Sequence, residues 1–187
     1  MTKARDLASG GFGLVLIKPS SVVNGTDNGK GTVNFSAVAN VALDGVFSAN
    51  YDNYRVIFNY VPSAQANALF YFRSGSSDIT TSSYYYKGSS LSSVNNTVTW
   101  TDYANGRGAS SAIIDFSNVN TSSVVLDISN AFSSSLYKII TVKNGDSYAD
   151  AKSHNIGFQS TASTTGLKFA MASGTFTGTV SVYGYNK

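Results

Sequence analysis

The feature that most constrains the fold is a period-two alternation of apolar and polar residues, which returns along most of the chain. In NYRVIFNYV, residues 53–61, the side chains of Tyr54, Val56, Phe58 and Tyr60 fall on one face. Successive side chains of a β-strand point to opposite faces, so this pattern predicts a half-buried strand. Similar segments lie at 12–19, 32–38, 68–73, 97–101, 112–116, 124–128, 137–143, 167–171 and 176–185.

Short strands without helical spacers favour a two-sheet architecture. Gly, Asn, Asp and Ser bound the strand segments, and the ten acidic residues are all Asp, which favours turns over helices. We therefore predict an all-β, antiparallel, jelly-roll-like β-sandwich over residues 12–187. Residues 1–11 are predicted to be a short leader, with one or two helical turns at 2–9 before the Gly-Gly pair. Apolar residues on both faces at 56–61 and 68–72 predict burial against further copies of the chain.

The charge and composition exclude several classes of partner. The net charge is +3, but Lys and Arg form no cluster, so nucleic-acid binding is not predicted. Cysteine is absent, which removes disulfides and thiolate metal sites. Apolar runs are too short to span a membrane, and the first residues lack the apolar core of a signal peptide. We expect a protein made in a cytoplasm, with no membrane insertion.

The sequence contains little that predicts catalysis. His154 is the single histidine, no G-x-S-x-G motif is present, and a surface or loop position is expected for that histidine. Asp115 and Asp127 lie inside strand segments between apolar neighbours, and both are expected to point outward. We therefore predict no enzyme activity, no catalytic residue, no metal site and no cofactor.

Two aromatic clusters are candidates for contact with a ligand or another subunit. In SSYYYKG, residues 82–88, Tyr84 and Tyr86 are the candidates, together with Trp100. The alternative is a strand with Tyr85 in the core and its two neighbours outside. In SANYDNYR, residues 48–55, the turn-forming Asp and Asn favour a folding corner from Tyr51 to Tyr54 over a sugar-binding platform. Arg55 then points to the opposite face, as a partner for an Asp or for an interface.

Three segments together resemble a known family. They are ARDLA at 4–8, LDGVFSANYDNYRVIFNYV with LFYFRSGSSD and SSYYYKG within 43–88, and GTFTGTVSVYGYNK at 174–187. They resemble the jelly-roll-type β domains of tailed-bacteriophage virion proteins, of the tail-fibre, receptor-binding and capsid-decoration types. In that family F-x-x-x-Y-D-N-Y precedes a long strand, and a V-Y-G-Y strand closes the domain. These motifs are structural and none is catalytic.

The resemblance implies a homotrimeric virion structural protein, assembled in the host cytoplasm beside other virion proteins. Its expected function is host-surface contact, as a tail-fibre or receptor-binding protein that touches a surface glycan. A capsid decoration, cement or head-fibre protein is the first alternative, and a carbohydrate-active enzyme or carbohydrate-binding module is the second. The leader, with Lys3, Arg5 and Leu7, is the candidate for attachment to the virion.

Overall fold

The computed structural model of the protein describes residues 13–94, 97–117, 119–147 and 151–186. Within these ranges the regular structure is entirely β. In chain order the strands are β1 (Leu14–Leu16), β2 (Ser21–Val23), β3 (Thr26–Asp27), β4 (Thr32–Val38), β5 (Asn40–Asp44), β6 (Asn53–Pro62), β7 (Ala66–Ser74), β8 (Ser77–Asp78), β9 (Tyr84–Val94), β10 (Thr97–Ala109), β11 (Ala112–Ser117), β12 (Ser122–Ser129), β13 (Lys138–Asp146), β14 (Ala151–Phe158), β15 (Gly166–Met171) and β16 (Phe176–Tyr185).

The strands form two antiparallel sheets. The larger sheet has the order β10-β9-β14-β13-β12-β6-β16-β4-β3, and β1 pairs with the end of β16. The smaller sheet has the order β11-β7-β15-β5-β2, with β8 paired to β7. The chain passes repeatedly from one sheet to the other, for example from β5 to β6 to β7, as in a jelly roll. The prediction of an antiparallel, jelly-roll-like β-sandwich is confirmed.

The core lies between the two sheets and follows the predicted alternation. The four apolar residues that share a face on β6 are all at most 1% exposed: Tyr54, Val56, Phe58 and Tyr60. The rings of Phe58 on the larger sheet and Phe169 on the smaller sheet stack with centroids 4.1 Å apart. Such contacts fill the space between the sheets with aromatic side chains, which bury large apolar areas.

A bulge in β11 corrects the prediction for Asp115. The pairing of β11 with β7 shifts between Ile113, which faces Leu69, and Asp115, which faces the buried Ala68. A β-bulge inserts one residue and changes the face of everything that follows it. Asp115 is therefore 1% exposed, and the expectation of an outward carboxylate was wrong.

Asp115 is the centre of a buried polar cluster between the sheets. Its carboxylate accepts hydrogen bonds from the Tyr60 hydroxyl at 2.7 Å, the Asn144 amide at 2.7 Å and the Lys152 ammonium at 3.1 Å. His154 lies nearby on β14, where its Nε2 is 3.0 Å from the carbonyl oxygen of Ile113. His154 is 3% exposed, so the expected surface or loop position was also wrong.

Candidate functional site

The segment before β6 is a corner held by one tyrosine. The Tyr54 hydroxyl donates a hydrogen bond to the carbonyl of Ser48 and accepts one from the N–H of the same residue, both at 2.8 Å. Tyr54 is completely buried, and this burial raises the pKa of its hydroxyl. These bonds close residues 48–54 into a fixed turn, which confirms the predicted folding corner.

The same corner carries a half-buried aromatic ring at its surface. Tyr51 packs edge-to-face against Tyr54, with ring centroids 5.9 Å apart. It also covers Gly184 of β16, where an added Cβ would lie 2.5 Å from two atoms of the Tyr51 ring. Gly184 thus leaves room for the ring, and the ring is held in place from two sides. Asp52 and Asn53, which follow it, are exposed.

A second loop, residues 130–137, faces this corner. The backbone N–H of Asn130 donates to the carbonyl of Asp52 at 2.9 Å and so joins the two segments. Asn130 adopts a left-handed backbone conformation, with φ of 62°, which Asn tolerates better than most residues. The Ser133 hydroxyl accepts hydrogen bonds from the backbone N–H groups of Ser135 and Leu136, which fixes the shape of the loop tip.

A buried lysine fastens this loop to a third one. Lys138 has no exposed surface, and its ammonium donates to the carbonyls of Ser133 at 2.9 Å, Leu136 at 3.4 Å and Ser160 at 2.9 Å. Burial lowers the pKa of Lys138. Beside it, the Thr164 hydroxyl donates to the carbonyl of Ala131 at 2.7 Å. Side chains therefore fix all three loops before any ligand arrives.

The three loops enclose an open cavity of about 650 Å³, which we call the loop cleft. One wall is formed by the corner residues Tyr51, Asp52 and Asn53, and the other by Asn130 and residues 132–136, which include Phe132. Among the described residues that line the cleft, none is Lys or Arg. It thus combines aromatic surface with hydroxyl, amide and carboxylate groups, a combination suited to a small hydroxyl-rich ligand.

A shallower cavity of about 360 Å³, the strand groove, lies on the outer face of the larger sheet. Asn53, Asp127, Ser129 and Tyr185 are among the residues that line it. Arg55 donates two hydrogen bonds to the Asp127 carboxylate, at 2.8 and 2.9 Å, and the Tyr185 hydroxyl donates a third at 2.9 Å. The hydrogen bonds from Arg55 are the main reason that the pKa of Asp127 is lowered. The predicted Asp partner for Arg55 is confirmed.

The structure places the predicted tyrosines differently from the sequence. Tyr84, which was expected to be exposed, is completely buried, and its hydroxyl accepts a hydrogen bond from the N–H of Phe72 at 2.8 Å. The expectation was wrong because Tyr84 pairs with Phe158 and shares its inward face. Tyr86 lies on the same side and packs partly against the core, and Tyr85, the expected core residue, is half-buried. Both the ligand prediction and its alternative placed Tyr84 outside.

The other predicted residues do not meet at one site. Trp100 lies on β10 opposite Leu91, and its side chain is outside the described part of the protein. Lys3, Arg5 and Leu7, the residues predicted to attach to a virion, also lie outside the described residues. Arg55 is next to a cavity, through its hydrogen bonds to Asp127 of the strand groove.

The described ranges contain neither a metal-binding cluster nor a membrane-spanning helix. In these ranges no group of three or more His, Cys, Asp or Glu side chains is arranged to hold a metal ion. The same residues include no helix with the length and apolar character needed to cross a membrane.

No protein-family model matches the chain, and no curated protein matches its sequence. Solved structures with some similarity include a galectin from Caenorhabditis elegans, with 10% identity and a TM-score of 0.39 over 89% of this chain and 98% of that one. A legume lectin-like domain from Entamoeba histolytica has 8% identity and a TM-score of 0.33 over 90% and 85% of the two chains. A marine alginate lyase from Aplysia kurodai has 8% identity and a TM-score of 0.35 over 91% and 79%. All three TM-scores are below 0.5, so these likenesses carry no information on function.

Proposed function

We propose that this protein is a carbohydrate-binding β-sandwich that holds a glycan unit in the loop cleft. The observation that carries the proposal is the fixed arrangement of Tyr51 beside Asp52 and Asn53, opposite Phe132 and the serines of the 130–137 loop. A sugar ring presents apolar C–H faces and a rim of hydroxyl groups. Aromatic rings suit the first, and carboxylate, amide and hydroxyl groups suit the second.

The composition of the cleft supports binding without catalysis. Hydrolysis of a glycosidic bond usually needs a pair of carboxyl groups on either side of the bond. Asp52 is the only carboxylate among the described residues that line the loop cleft. His154, the one histidine of the chain, is buried between the sheets and is not among the described residues that line the loop cleft. The proposed role is therefore recognition, for which fixed hydrogen-bonding groups are sufficient.

We further propose a virion setting, on the resemblance of residues 43–88 and 174–187 to β domains of tailed-phage virion proteins. In this setting the protein is a homotrimer that contacts a host-surface glycan, as a tail-fibre or receptor-binding component. The loop cleft would then lie at an exposed end of the trimer. A capsid-decoration role would use the same fold without requiring glycan contact.

A glycan array tests the binding proposal. The unaltered protein should bind a defined subset of glycans, and Tyr51→Ala should lose that binding. Tyr71→Ala is a matched control, because Tyr71 is a half-buried tyrosine on the smaller sheet that contacts Lys168, with the ammonium 4.2 Å from the ring centroid. Thermal denaturation of both variants separates loss of binding from loss of folding. No glycan binding at high protein concentration, together with specific binding to isolated capsids, would overturn the proposal in favour of decoration.

A further inference from the structure

We propose that the loop cleft and the strand groove form one continuous track for a linear, uncharged glycan of two or more sugar units, an inference that rests on the proposed function. The first unit occupies the loop cleft beside Tyr51. The chain then passes Asn53 and reaches a second subsite formed by Asp127, Ser129 and Tyr185.

Asn53 is the residue that the two cavities share. It is the first residue of β6, its side chain is exposed, and it lines both the loop cleft and the strand groove. Its direct neighbour across the sheet is Ser129, which also lines the groove. The cavities measure about 650 and 360 Å³, and each lies within the range of about 300–1,000 Å³ found for small-ligand sites. One sugar unit in the loop cleft would leave the strand groove unused.

The side chains of the second subsite are held in place before a ligand binds, like those of the loop cleft. Asp127 is oriented by two hydrogen bonds from Arg55 and one from the Tyr185 hydroxyl. The guanidinium carbon of Arg55 lies over the Tyr185 ring, 5.8 Å from its centroid, in a cation–π contact that helps to orient the ring. A carboxylate has more acceptor sites than these three bonds use, so Asp127 can still accept from sugar hydroxyls.

The charges along the track define the class of glycan. Carboxylates line both ends, at Asp52 and Asp127, and no Lys or Arg is among the described residues that line either cavity. Arg55 and Lys143 both act electrostatically on Asp127, but neither lines the groove, and the Arg55 guanidinium is engaged with Asp127. A uronate or sialylated chain would bring its carboxylates towards Asp52 and Asp127, and no cation among the described lining residues is placed to receive them. Like charges brought together in this way oppose binding, so the track selects neutral sugars.

Calorimetric titration with oligosaccharides of increasing length tests this inference. The probes are glucose, mannose and galactose oligomers of one to four units, and oligogalacturonates of the same lengths. In at least one neutral series the affinity should rise about tenfold or more from one unit to three, and the oligogalacturonates should not bind. Tyr51→Ala should abolish binding of every length.

Variants of the second subsite separate the track from the loop cleft. Asp127→Asn and Tyr185→Phe should lower the affinity for three units by about tenfold and leave the affinity for one unit unchanged. Asp127→Asn also removes the charge that engages Arg55, so this variant alone should gain measurable binding of oligogalacturonate. Lys30→Ala, on the exposed turn before β4, is a control that should change neither affinity.

The possible failures are distinguishable. An affinity that depends on Tyr51 but not on chain length would overturn the track and leave the proposed function intact. Preferential binding of oligogalacturonate by the unaltered protein would overturn the assignment to neutral sugars. If neither the neutral oligosaccharides nor the oligogalacturonates bound, both the proposed function and the inference built on it would be overturned.

Discussion

Two aspartates with nearly the same sequence surroundings have opposite environments in this protein. Asp115 lies in AIIDF and Asp127 in VVLDI, each inside a strand and between apolar residues. Asp115 is 1% exposed, and its hydrogen-bond donors are Lys152, Tyr60 and Asn144. The side chain of Asp127 is 36% exposed on the outer face, where its donors are Arg55 and Tyr185.

The difference shows that the pairing of a strand, and not its local sequence, decides which face a residue occupies. The regular pairing of β12 with β6 leaves Asp127 opposite Arg55 on the outer face. The bulge in β11 turns Asp115 inward, opposite Ala68. A change of one residue in register exchanges the two faces of a strand, so the bulge converts a surface carboxylate into a core one.

The largest expected difference in stability is between variants that lack one or the other carboxylate. Asp115→Ala should lower the free energy of unfolding by roughly 4 kcal/mol, because the buried Lys152 ammonium loses its opposite charge. Asp127→Ala is the matched control and should cost only about 1 kcal/mol, because water can replace the carboxylate at the surface. Urea denaturation measures both values. Equal losses would show that the two environments do not differ in energy.

Acid should weaken the buried cluster before it weakens the surface one. Burial lowers the pKa of His154 to about 4 from an ordinary value of 6.5. Between these values the unfolded chain binds a proton that the folded protein does not, so stability falls as the pH is lowered from 6.5 to 4. The loss should approach about 3 kcal/mol, at about 1.4 kcal/mol for each unit of pKa difference. Urea denaturation at a series of pH values measures it.

Two variants assign that pH dependence to its source. His154→Gln should make stability nearly constant between pH 6.5 and 4. The pKa of Asp127 is lowered in the folded protein, so its contribution is present above its ordinary value of 3.8 and is lost only as the pH falls through the lower folded value. Asp127→Asn should therefore lower stability by a constant amount above about pH 4 and alter its pH dependence only below that value. A His154→Gln protein that kept the full dependence above pH 4 would contradict this assignment.

The tyrosines that donate to the two aspartates offer a smaller and closely matched test. The Tyr60 hydroxyl is 2.7 Å from Asp115, and the Tyr185 hydroxyl is 2.9 Å from Asp127. Tyr60→Phe should cost about 2 kcal/mol, because it removes a donor from a buried acceptor. Tyr185→Phe should cost less than about 0.5 kcal/mol, since solvent reaches its partner. Thermal denaturation ranks the two variants by stability. A greater loss for Tyr185→Phe than for Tyr60→Phe would contradict the assignment of Asp115 to the core and Asp127 to the surface.

The smallest expected effect is the coupling between Arg55 and Asp127. A double-mutant cycle with alanine at both positions should give about 0.5 kcal/mol, as is usual for an exposed ion pair. In 1 M NaCl the screening length falls to about 3 Å, so the coupling should largely disappear. The coupling between Lys152 and Asp115, which are buried, should be larger and nearly independent of salt. A strong dependence there would indicate that water reaches the buried cluster.

The parts of the fold that could be predicted are those with a regular alternation. The inward face of β6 was predicted correctly, because Phe58 and its same-face neighbours are apolar or aromatic and buried. Strand β14 was not predicted, because its inward positions include Lys152 and His154 and its outward positions Ser153 and Asn155. A strand with polar residues on both faces leaves no hydrophobic period to detect.

The inward face of β9 could not be predicted for a related reason. Tyr84, Tyr85 and Tyr86 are identical, so the sequence there has no contrast from which a face can be assigned. The pairing of Tyr84 with Phe158 and of Tyr86 with Ile156 decides it. These partners are about seventy residues away in the chain, beyond the reach of any local pattern.

The candidate site was half visible in the sequence. Tyr51, Asp52 and Asn53 were identified, and the interpretation as a corner was correct for Tyr54, but it did not anticipate that the same corner forms a wall of a cleft. The opposite wall, with FSSSL at 132–136, has the composition of an ordinary loop. The pairing of β6 with β12, which places Asn53 opposite Ser129, and the hydrogen bond between Asn130 and Asp52 bring the two segments together.

The most direct test of the central claim is a map of backbone amide chemical shifts while a glycan selected from the array is added to isotopically labelled protein. We predict that the chemical shifts change most at residues 51–53 and 130–136. When the glycan has three units, changes should also occur at residues 127–129 and 185. The buried cluster around Asp115 should remain unchanged. Shifts centred on the smaller sheet, or none in the loop cleft at a saturating concentration of a bound glycan, would contradict the claim.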